Sequence, residues 1–313
     1  MPVRNAHLLA ILWLLLTGHF ASATEFSGYS PDVIGTPNHY TVKKGETLIE
    51  IARAFGLGYN EIADANQSVD PFTPKQGAMI RIPLAWVLPD APRQRGIVIN
   101  LAEMRLYFFH GPNGRSVSTF PIGIGAEGSD TPVGKFTVVR KSVNPAWNVP
   151  QSIRREKPDL PARVPPGPDN PLGTHAMRLS LGSILIHGTN KPWGVGRRVS
   201  HGCIRLYPED ISRLYRLVPV GTRVTITRQP VKLGVRNGRV FIEVHKGGNM
   251  DYLLEAVRLI RTRRLLLRID PAGLFTALRE KTGVPTDISL QAGSSGLTQA
   301  QFPYRKRGFF RPG

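Results

Sequence analysis

The chain has 313 residues, a formal net charge of +19, a pI near 10.7 and a single cysteine. That length exceeds one small core and implies several units, while one cysteine excludes an intramolecular disulfide scaffold and any zinc site built on cysteine pairs. A surface this basic binds polyanions in general.

In chain order, residues 1–23 follow the pattern of a secretory signal: Arg4, an apolar run from Leu8 to Leu16, then Ala21-Ser22-Ala23, with cleavage expected after Ala23. The run is too short to cross a bilayer, and no other stretch approaches membrane length, so no transmembrane segment is expected in the mature chain. Export, and the lack of basic residues interleaved with aromatics, set nucleic acid aside as a partner. A Gly/Ser/Pro-rich lead-in at 25–38 precedes a β-α-α-β order: a strand near 39–42, a helical pattern through Ile49, Ile51, Ala52, Phe55 and Leu57, a second helix at 59–66, and a strand near 79–83. A proline-bearing linker at 88–93 leads into strands at 96–101 and 105–109. Closely spaced Gly, Pro and Asn turns then predict a mostly antiparallel β core of sandwich type. Beyond residue 228 a hairpin folds over Asn237-Gly238, an amphipathic helix is expected at 251–264, and 291–313 read as a flexible basic tail. Units are expected at 38–84, 94–228 and 229–290, the first being removable without touching chemistry in the second, while the third either packs on the catalytic domain or recruits a partner.

The informative residues lie between 183 and 206. Cys203 sits in Ser200-His201-Gly202-Cys203-Ile204-Arg205, and His187 ends the apolar run Ser183-Ile184-Leu185-Ile186, which reads as a buried strand. A lone thiol in an exported chain is an intermolecular crosslinker, an inert buried residue or a nucleophile. Its neighbours favour the nucleophile. A thiol attacks as its thiolate, scarce at neutral pH unless an imidazole such as His187 takes the proton. Gly202 lets backbone N–H groups approach a carbonyl oxygen that becomes an oxyanion, and His201 can reinforce them. The outline is that of acyl transfer. Zinc is the sharper rival, since His187, His201 and Cys203 are all ligand types, although no second cysteine or His-Glu-x-x-His pattern accompanies them. Ser200 reads equally as a hydroxyl that closes the local turn.

The runs Ile186-His187-Gly188-Thr189-Asn190-Lys191-Pro192-Trp193-Gly194 and Ser200-His201-Gly202-Cys203-Ile204-Arg205-Leu206 resemble the catalytic signature of the YkuD-type L,D-transpeptidases. Asp130-Thr131-Pro132-Val133-Gly134-Lys135-Phe136 resembles that family's substrate-side hairpin, and Asn144-Pro145-Ala146-Trp147 with 166–173 the loops over its cleft. Arg205 stands where many members carry Asn, similar to the periplasmic enzymes of enteric-type Gram-negative bacteria. Residues 39–83 resemble a LysM module, a small binder of N-acetylglucosamine-containing glycans. The resemblance implies a mainly β protein: an antiparallel β-sandwich-like catalytic domain at 94–228, a β-α-α-β LysM domain at 38–84 and an α+β C-terminal extension at 229–290. It implies a periplasmic enzyme with Cys203 as nucleophile and His187 as general base and then acid. The Gly188 carbonyl would orient His187, and Gly202, Cys203 and His201 would hold the oxyanion. Arg205, Trp193 and Asn190 would contact substrate, and Gly45, Glu46, Thr47 and Leu48 would line a glycan groove. No metal or organic cofactor is implied. The partners implied are peptidoglycan stem peptides and glycan strands, with an outer-membrane lipoprotein lysine or another diaminopimelate as acyl acceptor, and carbapenems as acylating inhibitors. Water as acceptor would make the same site an L,D-carboxypeptidase, and a degenerate site would leave a peptidoglycan-binding protein.

Overall fold

A computed structural model describes residues 24–26, 32–90, 96–112, 116–247 and 250–290. The expected signal segment, part of the 88–93 linker and the expected tail lie outside the described residues. Among those described, no helix is long and apolar enough to cross a membrane.

The molecule is mainly β and centres on one curled nine-stranded sheet. In spatial order its strands are Thr24–Phe26, Ser116–Pro121, Arg105–His110, Gly96–Asn100, Arg223–Thr227, Gly134–Val143, His175–Leu179, Leu185–His187 and Ile204–Arg205. Most neighbours run antiparallel, as the short turns require. Arg223–Thr227 beside Gly96–Asn100, and Leu185–His187 beside Ile204–Arg205, run parallel. Helix α4, Pro208–Leu217, returns the chain after the last strand, burying Ile211 and Leu214 against the sheet.

Both faces of the central strands are covered, and the sequence shows why. Gly96-Ile97-Val98-Ile99 and Leu106-Tyr107-Phe108-Phe109 are continuous apolar runs, which suit a strand buried on both sides. Side chains alternate across a strand, so Ile97, Ile99, Leu106 and Phe108 enter one core with Ile186 and Ile204. Val98, Tyr107, Phe109 and Val117 enter a second core with Leu48, Ile51, Leu57 and Ile62 from the N-terminal β-α-α-β segment and Trp86 from the strand Ala85–Val87 just after it. That segment holds α1, Leu48–Ala54, and α2, Tyr59–Ala65, between paired strands Asn38–Thr41 and Met79–Ile82. Thr47 and Glu50 close a capping box that starts α1. The segment and the sheet therefore share a core, which the expectation of a removable first unit did not include: removing the segment strips the cover from Val98, Tyr107 and Phe109.

Charge reinforces this docking. Arg105, fully buried, donates from Nε to Glu61 Oε1 at 2.8 Å and from Nη2 to Glu61 Oε2 at 2.7 Å, and lies 4.2 Å over the Trp86 ring. The lead-in at 25–38 also differs from expectation: Thr24–Phe26 pairs with Ser116–Pro121, and Val33–Gly35 pairs with Ala85–Val87. The C-terminal hairpin, Val231–Arg236 and Arg239–Val244, packs with α5, Tyr252–Thr262, and with α6, Pro271–Glu280, around a third core. Helix α6 and the strand Thr286–Asp287 extend that unit beyond the expected helix.

Candidate active site

Register brings the motif residues together. Ile186 pairs with Ile204 and His187 with Arg205 on adjacent parallel strands, and paired residues point to the same face. Ile186 and Ile204 enter the core, so His187 and Arg205 turn to the opposite face, and Cys203, two residues before Arg205, joins them there. All three line an open cleft of about 690 Å³ with Trp147, Asn190 and Trp193. Helix α3, Gln151–Glu156, contributes Ser152 and Ile153 to its rim.

His187 is 3% exposed, and its Nδ1 lies 2.6 Å from the Gly188 carbonyl oxygen. A carbonyl only accepts, so Nδ1 carries the proton and the Nε2 lone pair is left as the base. Burial, with the Arg205 cation beside it, holds the imidazole down to about 4, so it is neutral at pH 7. Burial pushes the Cys203 thiol up, against the opposing pull of a backbone hydrogen bond at Leu185 and the cations Arg205 and Arg178. The resting pair is thus thiol and neutral imidazole. In this structure the thiol donates to the Ser183 carbonyl, with sulfur and oxygen 3.6 Å apart, rather than to His187.

The turn that presents Cys203 is fixed from two sides. Ser200 Oγ donates to the Cys203 carbonyl at 2.6 Å, the turn-closing role open to that hydroxyl. Gly202 has φ +96°, a conformation glycine adopts without strain. Its carbonyl accepts from Thr131 Oγ1 at 3.0 Å, and Thr131 in turn accepts from the Gly125 N–H at 2.9 Å. Thr131, 3% exposed, thus buttresses the Cys203 turn from behind, a task that nothing local in the sequence announces.

His201 stands on the cleft rim, its Nε2 3.0 Å from Glu156 Oε2 at the end of α3, so it ties the turn to that helix. Asn190 donates to the Asp169 carbonyl at 3.0 Å, while its Oδ1 is buried without a partner. Trp193 is 55% exposed on the cleft wall. Arg205 is half-buried on the same wall, with its Nε atom buried and unpartnered. Lys157, Arg178 and Lys191 also face this space, against one carboxylate, Asp169. These three cations escape sequence reasoning because they come from separate loops and strands.

Of the four groove residues, Glu46 accepts from the Tyr40 hydroxyl and the Lys43 N–H, both at 2.8 Å. Thr47 is the α1 cap, and Gly45 has open space where a side chain would stand. Leu48 is fully buried and gives its N–H to the Pro71 carbonyl at 2.9 Å, so its side chain is a core group rather than a groove wall. Metal-ligand types converge elsewhere. Among the described residues, only Glu103, Glu243 and His245 bring three such atoms within 4.8 Å of one another. The Lys232 ammonium fills that position, 2.6 Å from Glu103 Oε2 and 2.8 Å from Glu243 Oε1.

Comparison with known proteins accords with this geometry. A model of the L,D-transpeptidase catalytic domain, YkuD, matches residues 94–226, and one of the LysM domain matches 40–83. The chain is 38% identical to the probable L,D-transpeptidase ErfK/SrfK of Salmonella typhimurium, over 91% of this chain and 97% of that one. It is 44% identical to the probable L,D-transpeptidase YbiS of Escherichia coli K12, over 82% and 89%. With the probable L,D-transpeptidase YcfS of the same organism it shares 46% identity, over 66% and 67%.

Proposed function

The chain belongs to the L,D-transpeptidase family, and from that premise we propose that it is a periplasmic cysteine acyltransferase acting on peptidoglycan stem peptides. The observation that carries the reading is the shared face of His187, Arg205 and Cys203 on one open cleft. Cys203 attacks the diaminopimelate carbonyl of a tetrapeptide stem while His187 Nε2 takes the thiol proton. The Gly202 and Cys203 N–H groups hold the oxyanion. Collapse of the tetrahedral intermediate breaks the bond to the terminal D-alanine, which leaves as the amine with the proton from His187, and the stem remains as a thioester. An amine then attacks that thioester, His187 accepts its proton, and the thiol is restored.

The neutral resting pair suits this cycle, because the base takes its proton as the sulfur attacks rather than storing an ion pair beforehand. Arg205, with Lys157, Arg178 and Lys191, favours a donor rich in carboxylates, as stem peptides are. The LysM domain, through the surface around Gly45, Glu46 and Thr47, holds the glycan strand from which the stem hangs. The acceptor is an amine, a lipoprotein lysine or a second diaminopimelate.

Intact-mass spectrometry tests the reading. With a tetrapeptide stem the chain should release D-alanine and gain one stem acyl group, and with a carbapenem one adduct per chain. Both should be absent from Cys203→Ala. D-Alanine release by a folded Cys203→Ala protein would overturn it. Muropeptide profiles of sacculi from cells with and without the protein then identify the acceptor, water included.

A further inference from the structure

We propose that the LysM domain is a positioning part of the catalytic site, acting through Tyr59 on the loop between His187 and Cys203. This rests on the acyl-transfer reading above. Residues 188–200 form one wall of the cleft, where Trp193, Gly194 and Val199 face the substrate space. The far side of the same loop is held by the LysM domain. The Tyr59 N–H, at the start of α2, donates to the Val195 carbonyl at 3.3 Å, and the Arg197 guanidinium lies 4.0 Å over the Tyr59 ring.

The approach is close enough to demand glycine on both sides. Gly196 has φ +77°, and a Cβ there would stand 2.2 Å from the Tyr59 nitrogen. A Cβ on Gly58 would stand 3.0 Å from the Gly196 Cα. The segment after Cys203 is gripped as well: the Tyr207 hydroxyl donates to the Leu57 carbonyl at 3.1 Å, and Arg53 makes a two-pronged pair with Glu209 at 2.8 and 2.9 Å. The LysM domain thus holds the chain before the nucleophile and the chain just beyond Arg205. The wall has two supports: on the sheet side the Gly196 N–H donates to the Ile122 carbonyl and Arg198–Ser200 pairs with Ile124–Gly125, and on the other side stands the LysM domain, while the Pro192–Gly194 turn between them is a single short one. A wall held from outside moves when its support moves, and a displacement near 1 Å at a reacting centre lowers turnover by up to about a hundredfold.

The test measures kcat and KM on a soluble tetrapeptide stem that carries no glycan, so that loss of glycan tethering cannot intervene. Tyr59→Ala and Gly196→Ala should each lower kcat by about tenfold or more. Alkylation of Cys203 by iodoacetamide should keep its rate and pH profile, because the damage lies in the wall and not in the thiol. All these Tyr59 variants keep the backbone N–H, so Tyr59→Ala removes only the ring under Arg197, and Tyr59→Phe, which keeps that ring, should restore kcat. Lys246→Ala, which cuts a 2.7 Å pair to Asp64 on the other flank of the LysM domain, should leave kcat unchanged. If Gly196→Ala fails to fold, the Tyr59 pair carries the test. Wild-type kcat in Tyr59→Ala, an equal loss in Lys246→Ala or Tyr59→Phe, or a parallel fall in Cys203 alkylation would each overturn the proposal. Absence of D-alanine release by the wild-type chain would instead overturn the acyl-transfer reading on which it rests.

Discussion

Two of the regions in which this molecule buries charge differ in whether the fold answers it. Where the sheet meets the C-terminal hairpin, Lys232 donates to Glu103 and to the Val87 carbonyl, both at 2.6 Å, His245 Nε2 lies 2.5 Å from Glu243 Oε1, and the Tyr107 hydroxyl donates to Glu103 at 2.7 Å. Burial pushes the Glu103 carboxyl up, whereas at Glu243 the pull of Lys232 and His245 outweighs burial and holds it down. In the cleft, Arg205 Nε and Asn190 Oδ1 are buried with no partner. A paired buried charge orients the units that supply it, while an unpaired one costs free energy that only a ligand recovers. The first region is architecture, whereas the second leaves a donor, Arg205 Nε, and an acceptor, Asn190 Oδ1, without partners in the cleft.

The comparison breaks first at the nucleophile. Cys203→Ala should lower D-alanine release about 10⁴-fold or more, and His187→Ala nearly as much, because base and nucleophile act as a unit. Circular dichroism of both variants should match the wild type. Wild-type kcat/KM should stay level from pH 5 to 7 and fall as pH drops through about 4, where protonation removes the His187 lone pair. An acid limb at the ordinary imidazole value, near 6.5, would mean that the buried environment of His187 is wrong.

The next effect falls on the paired region. Lys232→Met leaves Glu103 and Glu243 facing each other without their cation, and breaking such a buried pair costs about 3–5 kcal/mol. Thermal unfolding should shift down by on the order of 10 °C, while kcat per folded molecule at low temperature should hold. A loss of kcat without a loss of stability would move this cluster into the catalytic machinery.

Arg205 gives the opposite signature. Arg205→Met should lower kcat/KM on a carboxylate-rich stem by about tenfold to a hundredfold, with little change in melting temperature, since it removes a half-buried cation whose Nε has no partner in the fold. Removing that cation should also let His187 rise, so the acid limb should move above its wild-type position near pH 4. A variant that lost stability and kept its pH profile would show Arg205 to be structural.

What the sequence made legible was local. Strand, glycine and imidazole follow one another within 183–206, and the β-α-α-β order carries its own caps, so the cleft cysteine, the cleft histidine and the small domain could be read from neighbours in the chain. Contacts between distant residues could not. Arg105 and Glu61 are 44 residues apart, and Lys232 and Glu103 129 apart. Nothing near either partner marks the other. The continuous run Gly96-Ile97-Val98-Ile99 does carry a signal, because a strand apolar on both faces needs two covers. Asp270-Pro271 likewise carries a helix start signal and begins α6, beyond the last expected helix. His201 reads as an oxyanion donor from its place before Gly202, but Glu156, 45 residues upstream, claims its Nε2.

Asp210 is where the comparison is most exposed, because it is buried and unsatisfied yet lies outside the cleft. Its Oδ2 has no partner, and burial, with Glu209 beside it, pushes the carboxyl up to about 7. In the unfolded chain it titrates near 3.8, so between about pH 4 and 7 the native state holds a proton that the unfolded state has released. Native stability therefore falls as pH rises through that window, and the full cost is present above about 7. His187 works in the other sense over a neighbouring range: its native value near 4 lies below the unfolded 6.5, so its contribution is lost as pH falls from 6.5 to 4. Asp210→Asn removes the first effect alone. Its melting temperature should match the wild type near pH 4, exceed it by a few degrees at pH 7.5, and leave kcat untouched. A stabilised, fully active Asp210→Asn protein would confine the link between unpaired charge and function to the cleft, whereas a fall in kcat would extend it to the base of α4, where Arg53 of the LysM domain meets Glu209.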